Sequence, residues 1–346
     1  MEVPSIFLNR ILSEMAKRGA SDLHLTVGSI PIIRINNQLS SLAGEEIVTN
    51  EILNKVIDTF ISPEELTKLK ENREIILVKN LAGNFRFRLN IFYQKDLLAL
   101  TFHYIPSNLK TLAELKIPKI FQDFMNANSG LLIIGGPYGA GKTTTAVAFI
   151  EEVNKIYKKN IITIEDPIEF LFVSKKSIIV QRQIGRDVKS FSQGLEHCLN
   201  EDVDLVYVSE MKREEDFIAS IPLILELASG NSLVVFEINT DSSIRVLEKI
   251  ITAASKTLSA ESARYNLVDN LLAVIVQRLI PRRGGGMALA SEILLNNSAV
   301  KSLIREGKIY QLESVLQTSR KEGMISLAKS IEELIKAGEI KQEDIN

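Results

Sequence analysis

The feature that most restricts the fold of this chain is a glycine-rich loop between a short apolar run and a helix-forming segment. The run Leu131–Ile134 predicts a buried strand, Gly136-Pro-Tyr-Gly-Ala-Gly-Lys-Thr143 follows it, and a helical pattern begins directly afterwards. This is the complete P-loop pattern in the strand–loop–helix context that the motif requires. The sequence therefore predicts an α/β domain with a phosphate site at its loop.

The residue types in this loop suit the phosphates of a nucleotide. Glycines let backbone N–H groups curl around phosphate oxygens, and the helix N-terminus adds its positive end. Lys142 is expected to reach the β and γ phosphates, and the hydroxyl of Thr143 is expected to hold Mg²⁺. We predict that ATP and Mg²⁺ are the ligands. The predicted nucleotide-binding residues are Gly136, Pro137, Tyr138, Gly139, Ala140, Gly141, Lys142, Thr143 and Thr144.

Two acidic residues follow predicted strands of the same domain. Glu165 comes after the apolar run 161–164, and Glu210 comes after the run 204–208. A P-loop enzyme needs carboxylates to position water and the metal shell, so we predict Glu165, Glu210 and Lys142 as catalytic residues. The alternative is a solvated strand-end carboxylate, since a chain with 43 acidic residues places some there by chance.

The apolar pattern divides the chain into two parts. Residues 1–106 predict a small α+β domain, the polar stretch 107–115 a linker, and residues 116–346 an α/β domain with a mostly parallel sheet. In the first part we predict helices over 5–18 and 51–60, strands over 22–26, 30–35, 74–78, 85–92 and 97–104, and a turn at Asn36-Asn37. In the second part we predict strands over 130–134, 161–164, 204–208 and 232–238, helices from 143 and over 187–200, and a mainly helical region beyond 261 with a short strand over 288–294.

Composition bears on compartment and partners. The chain has 346 residues, a formal net charge of -2 and one cysteine, Cys198, which excludes a disulfide framework and fits a reducing compartment. Apolar runs such as 271–276 are too short to span a bilayer, and the first 17 residues lack the apolar core of a secretory signal. We expect a cytoplasmic protein that reaches membranes through partners. Its near-neutral net charge creates no overall positive potential that would attract nucleic acid.

Longer motifs extend along nearly the whole chain. They are Gly19–Leu25, Phe85–Asn90, Ile105–Ser107, Ile161–Phe170, Gln181-Arg182, Arg186-Asp187, Ala299–Gly307, Gln317-Thr318 and Gly323-Met324. In this order they resemble the secretion and type IV pilus ATPases, and within them the PilT/PilU-type pilus-retraction branch. The stretch 161–170 is similar to the family's Asp box almost letter for letter.

The resemblance implies a PAS-like α+β domain followed by a RecA-like P-loop ATPase domain, assembled as a homo-hexameric ring. ATP with Mg²⁺ would bind between the two domains, with Glu165 as the Asp-box glutamate and Glu210 as the Walker B glutamate. The motor would be cytoplasmic and peripheral to the inner membrane. A platform protein would link it to the pilus that it retracts.

The chain departs from the family where histidines and arginines are expected. Ser232 and Asn239 stand at the two positions of the His box. Lys95, Asp96 and His103 stand where the family has arginines that reach a neighbouring subunit's nucleotide. An arginine supplied in trans is worth about three to five orders of magnitude in phosphoryl-transfer rate, and a lysine lacks its planar, two-pronged geometry.

These departures leave two functions open. One is a working retraction motor that couples ATP hydrolysis to pilus disassembly. The other is an accessory or regulatory paralogue that binds ATP, hydrolyses it weakly and assembles with an active retraction ATPase. A DNA-translocating ATPase is a third reading, and the lack of a basic, aromatic-interleaved segment argues against it.

Overall fold

The chain divides into two compact units whose boundary lies between Asn108 and Leu109. The computed structural model describes residues 4–36, 38–83 and 85–345. Asn36 of the predicted turn lies in the left-handed region with a φ of 48°, whereas Asn37 falls outside the described residues. Each unit has its own hydrophobic core.

The first unit is a six-stranded antiparallel sheet in the order β3-β2-β1-β6-β5-β4, packed with helices. Its helices are α1 (Pro4–Lys17), α2 (Asn50–Asp58) and α3 (Pro63–Asn72), and its strands are β1 (Asp22–Thr26), β2 (Ile32–Ile35), β3 (Gln38–Ser41), β4 (Glu74–Leu81), β5 (Phe85–Gln94) and β6 (Leu97–Ile105). Phe87, Leu89 and Ile91 of β5 are buried in a core that includes Ile11 of α1 and Leu53 of α2. The predicted α+β organisation is confirmed, and buried and half-buried residues alternate along the middle of β5.

The second unit is a seven-stranded sheet in the order β13-β12-β7-β11-β10-β8-β9. Its strands are β7 (Gly130–Gly136), β8 (Asn160–Glu165), β9 (Ile178–Gln183), β10 (Leu205–Val208), β11 (Leu233–Asn239), β12 (Leu271–Pro281) and β13 (Met287–Leu295). The helices are α4 (Ile120–Asp123), α5 (Lys142–Ile156), α6 (Phe191–Leu199), α7 (Glu214–Ser229), α8 (Ser243–Ala254), α9 (Ala260–Asn270), α10 (Ser298–Arg305), α11 (Leu312–Thr318) and α12 (Leu327–Lys336). Short 3₁₀ turns cover Phe124–Asn126, Ile309–Gln311, Arg320–Glu322 and Gln342–Ile345.

All neighbouring strands of this sheet are parallel except β12 and β13, so the predicted mostly parallel sheet is confirmed. Side chains of α5 share one core with Leu132, Tyr207 and Val235. Side chains of α6 to α10 share a second core with Leu131 and Val234, on the opposite face of the same strands. Burial on both faces explains why these strands are continuous apolar runs.

The expectation that the chain beyond 261 is mainly helical is wrong for residues 271–281. They form β12, which lies parallel to the strand before the glycine-rich loop, with Ile275 opposite Ile134. Because β12 is covered on both faces, its apolar run lacks the period-two alternation that marks a half-buried strand. Its antiparallel partner β13 is also longer than the predicted strand over 288–294.

The segment after the boundary belongs to the second unit by its contacts. Leu112 is buried in the same core as Phe149 of α5. The backbone N–H of Leu112 donates to a carboxylate oxygen of Glu152 at 2.8 Å. The predicted linker 107–115 therefore includes a residue, Leu112, that packs against α5 and is hydrogen-bonded to it.

Within the described part of the chain, every helix is too short or too polar to cross a lipid bilayer.

Because β12 lies in the core, an isoleucine-to-alanine substitution there should destabilise the protein more than the same substitution on an exposed edge strand. Ile275→Ala removes a fully buried side chain and should lower the free energy of unfolding by about 2–5 kcal/mol. The matched control is Ile178→Ala, which makes the same change on edge strand β9, where the side chain is 66 % exposed. Its expected effect is within about 0.5 kcal/mol. Urea unfolding followed by circular dichroism measures both, and equal losses would contradict this placement of β12.

Candidate active site

The parallel strands bring the predicted site residues to one edge of the second sheet. The loop follows β7, Glu165 ends β8, and Glu210 comes two residues after β10. Asn239 at the end of β11 lies opposite Gly136 at the end of β7. Because ligands of open parallel sheets bind beyond the carboxyl ends of the strands, this edge is the candidate active site.

The backbone of the loop requires glycine at specific points. Gly139 and Gly141 have φ values of 76° and 86°, in the left-handed region, and α5 begins directly after them. At Gly136 a Cβ atom would lie 2.7 Å from Cβ of Ala140 and 2.8 Å from the carbonyl oxygen of Gln277. The backbone conformation at Gly139 and Gly141 and the close contacts at Gly136 therefore produce the tight curl that the motif predicts.

Lys142 is held within the loop. Its ammonium donates to the carbonyl oxygens of Gly136 at 2.8 Å and Pro137 at 3.0 Å. It also lies 3.0 Å from a carboxylate oxygen of Glu210. The lysine side chain is only 6 % exposed, so its charge is confined to the inside of the loop.

Glu165 is fixed by neighbours on β8 and β9. The hydroxyl of Thr163 donates to Oε1 at 2.7 Å, and the amide of Gln181 donates to the same oxygen at 3.0 Å. The carboxylate is almost completely buried. These contacts hold one oxygen of Glu165 in a set direction.

The two positions at which the resemblance predicts histidine have separate surroundings. Asn239 lies at the site and donates its amide to Oε1 of Glu210 at 3.1 Å. Ser232 lies at the opposite end of β11, where its hydroxyl donates to the carbonyl oxygen of Val203 at 2.6 Å. Only the first of these substitutions touches a predicted catalytic residue.

Glu237 was missed by the sequence analysis. It lies on β11, and its carboxylate accepts hydrogen bonds from the hydroxyl of Thr143 at 3.0 Å and that of Tyr207 at 2.5 Å. Burial is the main reason that the pKa of Glu237 is raised, to about 7, against the lowering effects of Tyr207 and the charge of Lys142. The available signal was an acidic residue inside an otherwise apolar strand run.

The hydroxyl of Thr143 and the carboxylate of Glu237 form a set of hard oxygen donors. Mg²⁺ prefers such ligands, and in nucleotide sites it takes one or two of them from the protein and the rest from phosphates and water. The residues present therefore suit the metal that the motif predicts.

The loop helix is also tied to the strand that the sequence analysis missed. The amide of Gln277 on β12 donates to the hydroxyl of Thr145 in the first turn of α5 at 2.8 Å. The same glutamine supplies the carbonyl oxygen that excludes a side chain at Gly136. Since β12 was not predicted, its support of the loop could not be predicted either.

In the first unit, two of the three residues at the expected arginine positions, His103 and Asp96, have local partners. Nδ1 of His103 lies 2.9 Å from a carboxylate oxygen of Asp22. Burial raises the pKa of Asp22, but the hydrogen bond from His103 and its charge lower it, and the net direction is down. Asp96, in the turn between β5 and β6 next to Lys95, pairs with Arg73 at 2.9 Å.

Cys198 lies on α6. Its side chain is buried in the core between α6 and the sheet. Burial raises the pKa of the thiol to about 11, so the thiol stays protonated and unreactive at neutral pH.

Comparison with known proteins identifies the family. A family model described as type II/IV secretion system protein matches residues 103–345. The type IV pilus retraction ATPase PilT of Pseudomonas aeruginosa is 33 % identical over 337 residues, which cover 97 % of this chain and 96 % of the relative. A twitching motility protein of Neisseria gonorrhoeae is 36 % identical over 315 residues, 90 % of this chain and 82 % of the relative.

A solved structure agrees with these relatives. The crystal structure of the pilus retraction motor PilT with bound ADP matches with a TM-score of 0.82 at 33 % identity, and covers 97 % of this chain and 95 % of that chain. The predicted α/β fold class is therefore confirmed. The chain belongs to the type II/IV secretion system ATPases, in the branch of PilT/PilU-type pilus retraction ATPases.

Proposed function

We propose that this chain is an ATPase that powers retraction of a type IV pilus and binds ATP with Mg²⁺ at its glycine-rich loop. The observation that carries the proposal is the convergence of Lys142, Thr143, Glu165 and Glu210 at the carboxyl edge of one parallel sheet. Identity of 33 % to PilT over nearly the full length supports the same function.

The contacts of the site residues assign each of them a role in binding or hydrolysing ATP. Lys142 binds the β and γ phosphates by exchanging its contact with Glu210 for phosphate oxygens. Released in this way, Glu210 is free to orient the attacking water together with Glu165. Thr143 holds Mg²⁺, which when bound neutralises charge on the β and γ phosphate oxygens.

The larger assembly is part of the same proposal. We take residues 1–106 as a PAS-like domain, 107–115 as the linker and 116–346 as the RecA-like domain with its C-terminal helical region. Six copies form a ring. The ring acts in the cytoplasm at the inner membrane through a platform protein, and nucleic acid is not a partner.

A second candidate is the weakly hydrolysing accessory subunit that assembles with an active paralogue. It is favoured by the contacts of Asn239 and His103, since both occupy positions where the family has other residues. An asparagine can donate a hydrogen bond to Glu210 but cannot carry charge. A histidine paired with Asp22 gives less to a distant phosphate than an arginine would.

Removal of the loop lysine tests the motor itself. Lys142→Ala should reduce Mg²⁺-dependent ATP hydrolysis by the purified hexamer to background, because the phosphates lose their buried cation. The matched control is Lys155→Ala on the same helix, where the ammonium pairs with Glu151 and is half-exposed. Phosphate release measures both variants. A native hexamer without turnover would contradict the proposal.

Substitution of the two glutamates separates chemistry from binding. Glu165→Gln and Glu210→Gln should each lower kcat by at least about a hundredfold, since a positioned base is worth 10²–10⁴ in rate. Affinity for ADP should change little in Glu165→Gln, because Thr163 and Gln181 hold that side chain in place. Steady-state kinetics and nucleotide titration measure the two quantities. If one of these variants keeps the native kcat, the glutamate that it replaces does not activate water.

A double substitution distinguishes the two candidate functions. In an accessory subunit, the double variant His103→Arg with Asn239→His should raise turnover several-fold by restoring the expected cation and histidine. In a working motor the same double variant should leave turnover near the native rate. ATPase assays of the two hexamers decide between them.

A further inference from the structure

Glu237 interrupts an apolar strand face at the point where that face meets the loop. Leu233 and Val235 lie on the same face of β11 and are packed in the core under α5. Glu237 continues this face and is 1 % exposed, opposite Ile134 of β7. A buried carboxylate is unfavourable without compensating partners, so its position beside the loop needs an explanation.

Two hydroxyl groups hold this carboxylate, one on each oxygen. Tyr207 donates to Oε1 at 2.5 Å, and Thr143 donates to Oε2 at 3.0 Å. A hydroxyl has one proton and two lone pairs. Because the proton of Thr143 is directed to Glu237, its lone pairs are turned away from that carboxylate and are available to a cation.

The hydroxyl contacts do not supply a positive charge. The loop ammonium, Lys142, is bonded to Glu210 at 3.0 Å. Two carboxylates, Glu237 and Glu210, therefore contact the two loop residues that are predicted to meet phosphate and metal. A nucleotide without a divalent cation brings further negative charge into this buried region, where like charges repel more strongly than in water.

We propose that Glu237 couples nucleotide binding to the divalent cation at this loop. With Mg²⁺, Glu237 orients the Thr143 hydroxyl and adds negative charge to the shell around the metal. Without Mg²⁺, the same carboxylate opposes the phosphates of ATP or ADP. This inference rests on the ATP and Mg²⁺ site proposed above and assigns Glu237 a positioning role that Glu165 and Glu210 do not have.

The test is the ratio of two affinities. The probe is mant-ADP, titrated into the hexamer in Mg²⁺ and again in EDTA, at a pH well above 7, where Glu237 is ionised although its pKa is raised to about 7. Glu237→Gln keeps the shape and an acceptor oxygen but removes the charge. We expect the variant to bind metal-free mant-ADP more tightly and Mg²⁺-mant-ADP more weakly than the native protein. The coupling ratio should fall by about 10- to 100-fold, the usual effect of removing a residue that supports a metal ligand.

A second readout measures the same coupling from the metal side. Coupling between two ligands is reciprocal, so the affinity of the ADP-loaded protein for Mn²⁺ should fall in Glu237→Gln by a similar factor. Electron paramagnetic resonance of free Mn²⁺ measures it without ATP turnover. Unchanged Mn²⁺ affinity in the variant would overturn the proposal.

Two variants control for loss of a buried carboxylate and for folding. Glu151→Gln removes another buried carboxylate from the same unit, one that pairs with Lys175 and Lys155, and should keep the native coupling ratio. Glu237→Asp keeps the charge but shortens the side chain by one methylene and withdraws the carboxylate from Thr143, so its coupling ratio should lie between the native value and that of Glu237→Gln. If Glu237→Gln fails to fold by thermal unfolding, loss of coupling in Glu237→Asp relative to Glu151→Gln still supports the proposal, and a native ratio contradicts it.

The outcomes separate this inference from the function on which it rests. If native protein binds no mant-ADP in Mg²⁺, the nucleotide site itself is wrong. If it binds and Glu237→Gln keeps the native coupling ratio, Glu237 is a structural carboxylate satisfied by Tyr207 and Thr143, and the inference alone fails.

Discussion

Parallel pairing of β7 with its neighbours is the constraint on which the rest of the second unit depends. Ladder bonds to β11 on one side and β12 on the other fix where the strand ends, and the loop begins at that point. The register places Asn239 opposite Gly136 and brings Glu210, one strand further, to Lys142. A slip of one residue would turn every side chain to the opposite face and separate these groups.

The loop, its helix and the carboxylate Glu165 were predictable because local chemistry dictates them. Glycine at Gly139 and Gly141 follows from the left-handed backbone of the loop itself, where φ is 76° and 86°. Gln277 and Glu237 were not predictable in the same way. Each acts through a strand distant in sequence, and a strand buried on both faces gives no periodic signal from which to infer which side chain faces the loop.

The two positions at which the family has histidine show that residues of one sequence motif need not all lie at the active site. Ser232 and Asn239 are the two ends of one sequence motif. The seven residues of β11 separate them, so they lie at opposite ends of that strand. A change at Ser232 is therefore a packing change. A change at Asn239 alters the hydrogen bonding of Glu210, and through it the charge around Lys142.

The bond between Leu112 and Glu152 has a mechanical consequence. It ties the start of the second unit to α5, whose first residue is Lys142, about 15 Å away along the helix axis. Leu112 also packs in one core with Phe149 of that helix. The chain at the start of the second unit and the glycine-rich loop are therefore connected through one helix, so a force applied at Leu112 acts directly on α5.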